Sequence, residues 1–402
     1  MRSLVLTLGA VVLALLLAEG LLRLIGQSYY WAVAKQPDPQ LGWRPAPGVS
    51  AWQRFEGEAL VETNTLGFRD VEHTPHRVRH QAGGGLRVVV LGDSFTEAVQ
   101  VPLDQTWWRV MQRRLNSQGC GEGDWSGSRA GQRFEVINFA VSGYSTAQAL
   151  LAWRNVASRF APDAVILAFF LGNDLVENAK ALDSEPLRPY LAPRGGGLVL
   201  DDGFLASDEY RFKTSAFGRI IGRLVVHSRL AQTLVQARHA VSLHGRVDGD
   251  ESGRRSLEPG VDDALYREPA DDAWRGAWTA TESMLAAFAR EVRQSGAQPL
   301  LMLAGTGAQV HPNPRVPAAV AAGSGVGDLG YPVRRLLLTA DAQQLPVVNL
   351  PELMAIEAER RQDPLHGFDN SIIGFGHWNA AGHRVAGRAA SDALCDMLGA
   401  GL

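Results

Sequence analysis

Along this 402-residue chain, short apolar runs closed by turn-forming residues alternate with stretches of helical periodicity, and that alternation narrows the possible folds more than any other feature. Val88, Val89 and Val90 lie inside the run 87–91, which Gly92 ends. Similar runs cover 134–139, Ala164–Phe170 and 299–304, with a weaker fifth at 346–350. A continuous apolar run of this length reads as a strand buried on both faces. Between the runs, helical patterns occupy 104–116, 146–160, 272–295 and 379–397; in the first, Trp108, Met111 and Leu115 share one face. Strand and helix in alternation predict a doubly wound α/β fold, a three-layer α/β/α arrangement around about five parallel strands. In such sheets ligands sit beyond the carboxyl ends of the strands, so residues just after each run are the first place to look for chemistry.

Three other regions do not follow this pattern. From Leu4 to Ala18 no residue is charged, and the apolar character continues past Glu19 to Leu22. That is close to the ~20 residues needed to cross hydrocarbon, so residues 1–26 are expected to form a transmembrane signal-anchor. Ala18 and Gly20 form a small-x-small pair that a signal peptidase could cut, in which case the protein would be secreted. With Arg2 held on the cytoplasmic side, the remainder is expected on the extracytoplasmic, periplasmic face. Residues 27–85 are polar and irregular and read as a linker or wrapping arm; its histidines, His73, His76 and His80, lack a metal-ligand spacing. Residues 175–270 interrupt the α/β domain, expected over 86–398, with an insertion far longer than an ordinary connection. Within it, 194–203 reads as a hairpin and 216–241 as helix, while 244–260 is charged. The formal charge of −3 gives no reason to expect nucleic acid as a partner.

The strand ends carry the chemistry. Gly92-Asp93-Ser94 follows the first run and sets a serine hydroxyl at the sheet edge; Thr96 stands where a Gly-x-Ser-x-Gly elbow would have its second glycine. Ser142-Gly143 follows the second run, and Gly172-Asn173-Asp174 the third. A serine attacking an ester generates an oxyanion, for which the Ser94 and Gly143 amides and the Asn173 side chain are candidate donors. His377, ahead of a plausible N-cap at Asn379, is the candidate base, whereas His383 falls inside the last helix and is expected to pack or cap. Gly325, Gly327 and Gly330 match a dinucleotide fingerprint, but no strand precedes them and Pro332 follows where a helix should run.

These blocks, in order, resemble the SGNH, or GDSL, hydrolase family: Gly92-Asp93-Ser94, Gly143, Gly172-Asn173-Asp174 and His377. The likeness spans roughly 86–398. It implies a flavodoxin-like fold with Ser94 as nucleophile, Ser94, Gly143 and Asn173 as oxyanion hole, and His377 as base. Leu41-Gly42-Trp43 and Asn64-Thr65-Leu66-Gly67-Phe68-Arg69 also look like the approach segment of membrane-tethered members. In one respect the chain departs from the family. Gly374 and Phe375 occupy the positions where an Asp usually precedes the catalytic histidine. Asp369 is the nearest upstream substitute, Asp363 the next, and a Ser-His dyad held by a backbone carbonyl is the alternative.

The expected function is therefore cleavage of carboxylic esters, on a small molecule, a carbohydrate or a lipid, through a Ser94 acyl-enzyme. Acyl transfer to a cell-surface glycan and a catalytically silent glycan-binding protein are the competing readings, the latter motivated by the empty Asp position. No metal or organic cofactor is implied. Cys120 and Cys395 fall near the far ends of the first and last sheet-covering helices, where a disulfide is one outcome and two separate thiols the other.

Overall fold

The computed structural model of the protein describes residues 2–75, 85–120, 133–247 and 258–400. His76, His80 and most of the charged stretch 244–260 lie outside those residues. The central sheet comprises β1 (Leu86–Leu91), β2 (Phe134–Asn138), β3 (Ala164–Phe170), β4 (Gln298–Ala304) and β5 (Val347–Asn349). All neighbours are parallel, in the order β5-β4-β3-β1-β2. Read from the other edge this is 2-1-3-4-5, the doubly wound order whose switch point lies between β1 and β3.

The helices that matter below are α1 (Arg2–Leu24), α2 (Trp107–Gln118), α3 (Thr146–Asn155), α4 (Ala216–His227), α5 (Arg229–Val247), α6 (Asp272–Gln294), α7 (Tyr331–Ala342) and α8 (Ala380–Ala400). Alternation along β1 sends Val89 and Leu91 to one face of the sheet, where they pack with α3, α6 and α7. Val88 and Val90 go to the other, against Trp108 and Met111 of α2 and Ala386, Ala390 and Leu394 of α8. Because the sheet is covered on both faces, its strands are apolar at consecutive rather than alternate positions. With α2 and α8 on the same face, Cys120 and Cys395 come within 5.2 Å (Cα–Cα) and form a disulfide.

Several boundaries differ from those expected. The helix expected at 104–116 starts at Trp107, after a 3₁₀ turn over Leu103–Gln105. The helix expected at 146–160 breaks at Val156 and ends in a 3₁₀ turn. The hairpin lies slightly earlier, Tyr190–Arg194 pairing with Gly197–Asp201. The helical stretch at 216–241 is two helices, divided at Ser228. Pro332 does not prevent a helix: α7 begins there with the proline in its first turn, where the missing N–H costs nothing. What precedes the glycines is the helix Arg315–Gly323 rather than a strand, so the dinucleotide fingerprint still lacks its context. Arg2–Leu24 forms one continuous helix, apolar enough to cross a membrane and with no residue buried.

The arm is far more ordered than its composition suggests. Two short antiparallel pairs, Gln36–Asp38 with Gly42–Arg44 and Ser50–Gln53 with Ala59–Glu62, shape it. Tyr30, Trp43 and Phe68 are fully buried, and Arg69 is nearly so. The Arg69 guanidinium donates to the carbonyls of Glu97 (2.9 Å), Ala98 and Val101 (2.6 Å), just beyond the Gly-Asp-Ser turn. Asp70 accepts from the Asn138 N–H (2.8 Å) at the end of β2 and pairs with Arg109 (2.5 Å). His73 binds Glu135 (2.6 Å) and Asp70 (3.2 Å), so it serves as an ionic tie to β2. No group of residues suited to hold a metal occurs among the described residues.

Candidate active site

Three loops meet over the carboxyl edge of the sheet at the β1/β3 switch point. Gly92 closes β1 and Asp93 caps a one-turn helix, Ser94–Glu97, through a bond from the Phe95 N–H (3.0 Å). Ser94 is the first residue of that turn, so its own N–H has no partner within the helix. The Ser94 hydroxyl lies 2.8 Å from His377 Nε2. At the other end of the turn Glu97 is buried; it accepts from the Ser142 N–H (2.7 Å) and from the Tyr30 hydroxyl, tying the Ser94 turn to the loop after β2 and to the arm. Burial raises the Glu97 pKa, against the bonds from Ser142 and Tyr30.

Gly143 has a left-handed φ of +75°, and a Cβ built there would meet Trp43 only at an ordinary 3.5 Å. Conformation, rather than lack of space, is therefore why this position needs glycine. The arm and the insertion both support this loop: Trp43 O accepts from the Tyr144 hydroxyl (2.6 Å), and Arg188 donates to Gly143 O (2.7 Å). Among the described residues the Gly143 N–H has no hydrogen-bond partner. Asn173 opens the turn after β3, with its Oδ1 buried and without a hydrogen-bond partner among the described residues. Burial raises the Asp93 pKa to about 6, and the Phe95 N–H and the positive potential of His377 work against it. Asp174 accepts from the Phe170 N–H (2.7 Å), and its pKa is pushed well up by burial and by the neighbouring Asp93.

The expectation for the third member of the triad needs correcting. Asp369 is exposed and makes no bond to His377; Asp363 is also exposed. Glu56 fills the place, from the turn between the two arm strands Ser50–Gln53 and Ala59–Glu62. Its Oε2 is hydrogen-bonded to His377 Nδ1, and its Oε1 accepts the His377 backbone N–H at 2.7 Å. Although burial works against the carboxylate, the bonds and charge of His377 outweigh it and keep the Glu56 pKa below the usual carboxylate value. Gly376 makes the approach possible: at φ +79°, a Cβ there would lie 2.3 Å from Glu56 Oε1. The glycine-bearing segment just before His377 is thus the opening through which the Glu56 carboxylate reaches the histidine.

Asn370, beside Asp369, holds the glutamate turn in place. It accepts the Gly57 N–H (2.8 Å) and donates to Gly57 O (2.9 Å). His366 is buried with Nδ1 2.6 Å from Gly376 O, and burial takes its pKa down to about 4, keeping it neutral beside His377. His383 is buried against Trp378, in keeping with a packing role, while Asn379 caps α8 through the N–H groups of Ala381 (2.9 Å) and Gly382 (3.1 Å). A separate cleft of about 560 Å³ opens beyond β4 and β5, lined by Gln309, Leu329, Arg334 and Asn349 among others, and includes neither Ser94 nor His377.

Nothing in the sequence singled out Glu56. The only trace was positional: a histidine without an adjacent acid, followed by a glycine-bearing loop, needs its carboxylate from elsewhere in the chain.

No family model matches the chain, and no curated protein does. Solved structures do match. An acetyl xylan esterase, AlAXEase, is 14% identical with a TM-score of 0.37, over 76% of this chain and 98% of that one. The acetylxylan esterase Axe2 of Geobacillus stearothermophilus is 10% identical with a TM-score of 0.36, over 77% and 94%. A protein from Parabacteroides merdae described as a GDSL-like lipase is 10% identical with a TM-score of 0.37, over 77% and 95%. At these scores the likeness carries no inference about family or activity, and the reading of the site rests on its own geometry.

Proposed function

We propose that the protein is a serine ester hydrolase of the SGNH type, working through a Ser94 acyl-enzyme. One observation supports this above all: the imidazole of His377 lies between the Ser94 hydroxyl, 2.8 Å from Nε2, and the Glu56 carboxylate at Nδ1. With Glu56 accepting from Nδ1–H, Nε2 is left unprotonated and facing the nucleophile. Ser94 Oγ attacks the ester carbonyl while its proton passes to Nε2. The same proton then goes to the departing alkoxide as the C–O bond breaks. Water, deprotonated by His377, attacks the acyl carbon and releases the acid and free Ser94. Ser94 N–H, Gly143 N–H and the Asn173 amide are the donors proposed for the oxyanion.

An ester of a carbohydrate or a lipid at an extracytoplasmic membrane surface is the substrate class we propose. A retained anchor is supported by Glu19, whose carboxylate caps α5 (Arg229 N–H, 3.0 Å; Leu230 N–H, 2.9 Å); cleavage after Gly20 would remove it. The finding of Glu56 at Nδ1 takes away the motive for a silent glycan-binding protein.

The test is labelling with a serine-directed phosphonate together with hydrolysis of short-chain aryl esters, comparing the native chain with Ser94→Ala. Labelling at Ser94 and activity lost in the variant are expected; equal rates would refute the nucleophile. Adding a sugar acceptor sorts hydrolysis from transfer, since an acylated sugar exceeding free acid would make the protein an acyltransferase.

A further inference from the structure

Helix α4 carries Phe217, Ile220 and Leu224, three and four residues apart and so on one stripe, each between 57% and 65% exposed. Phe212, from the preceding helix Asp208–Thr214, is also exposed and extends the stripe, its ring 6.4 Å from that of Phe217. Gly218 and Val225, each about 100° further round the helix from Phe217 and Leu224, are buried in the protein. Along the edge of the stripe the exposed side chains are Arg219 and Arg223. An exposed apolar stripe of this kind marks a surface that a membrane or another molecule covers.

What lies at the end of the helix indicates what the stripe faces. Glu19, near the end of α1, accepts the Ser228 hydroxyl (2.9 Å) and the N–H groups of Arg229 (3.0 Å) and Leu230 (2.9 Å). Arg23 pairs with Glu19 (2.7 Å) and donates to His227 O (2.5 Å). The α4–α5 junction is therefore clamped to the end of the apolar helix. Leu224 precedes His227 by three residues, about 5 Å along the axis at ~1.5 Å per residue. A stripe that begins one helical turn from the point where an anchor leaves hydrocarbon, with arginines beside it, has the composition and the place of a helix lying in the lipid interface.

We infer that α4, with Phe212, is an interfacial membrane-binding helix. Phe217, Ile220 and Leu224 dip into the acyl boundary of the bilayer that α1 crosses, and Arg219 and Arg223 meet anionic headgroups. The insertion thereby converts a single-helix tether into a two-point attachment that fixes the orientation of the catalytic domain to the membrane. This rests on α1 being retained in the bilayer, and the experiment separates the two claims.

In the full chain both native cysteines are paired, so a thiol placed by Leu224→Cys can be labelled with a polarity-sensitive fluorophore. The comparison site is Leu338→Cys, exposed on α7 near the edge strand β5. Each labelled protein is reconstituted into vesicles of phosphatidylcholine and phosphatidylglycerol containing nitroxide-labelled lipid. We expect both to float with the vesicles, and the label at 224 to be blue-shifted and quenched several-fold more than that at 338. Flotation with equal, weak quenching at both positions would overturn the interfacial helix and leave the anchor intact. A chain that stays in the aqueous fraction would overturn both. Quenching at 224 that persists in purely zwitterionic vesicles would remove the headgroup role of the arginines while keeping the apolar contact.

Discussion

The Ser94 half and the His377 half of the site are built in different ways. Ser94, Gly143 and Asn173 lie in the loops that leave β1, β2 and β3, so the register of those strands sets where each loop starts. Glu56 and His377 lie in two loops 321 residues apart in the chain, and neither is set by a neighbouring strand of the sheet. They are held by tertiary bonds: the two contacts between them, the Asn370 clamp on Gly57, and the His366–Gly376 bond. A site organised in this way has a stiff side, begun by the strands and propped by Arg69 and Trp43 of the arm, and a contingent side made only of tertiary bonds.

The largest expected effect is on the stiff side: Ser94→Ala should lower ester hydrolysis by on the order of 10⁵-fold or more, read as kcat/KM, with folding unchanged. Glu56→Gln should cost about 10³- to 10⁴-fold in kcat by disturbing the imidazole tautomer and leaving its positive charge unbalanced. Asp369→Asn should leave the rate at the native level; if the two results were exchanged, the acid would belong to the C-terminal loop after all. Asn370→Ala touches neither Ser94 nor His377, and loosening the glutamate turn should cost about 10- to 100-fold in kcat with little change in KM. A loss confined to KM would instead place Asn370 in substrate binding.

The smallest effect concerns the arm itself. Burial opposes the His73 charge, but the bonds to Asp70 and Glu135 outweigh it and raise the pKa from 6.5 to about 9. The raised value means that the tie contributes its full stability below about pH 6.5 and loses it as the pH climbs through about 9. The difference in melting temperature between the native chain and His73→Gln should therefore narrow across that window. A constant difference would show that His73 contributes packing rather than charge.

How much of this the sequence revealed follows the same division. The strands, the helices that pack on them, and the order of Ser94, Gly143, Asn173 and His377 were legible because each depends on periodicity and on what immediately follows a strand. Glu56 was not, because a carboxylate in a polar turn looks like any other until the arm folds back over the sheet. Asp369 is close to His377 in sequence, whereas Glu56 is close to it only in space. Pro332 hides the helix at Tyr331 from a reading of the sequence, although proline is at ease in a first turn. Arg69 and Trp43 were seen as a motif of the approach segment, but not as props for the Ser94 turn and the Gly143 loop.

The distance along the chain between Glu56 and His377 also has a temporal meaning. While the polypeptide is still being synthesised, the serine turn can form as soon as its strand does, yet the imidazole that faces it in the folded chain has not been made. Only when the last thirty or so residues are in place can the histidine loop close on the glutamate, so a half-finished chain carries Ser94 without its imidazole partner. On the proposed reading, the site is in this sense armed from the tail of the chain.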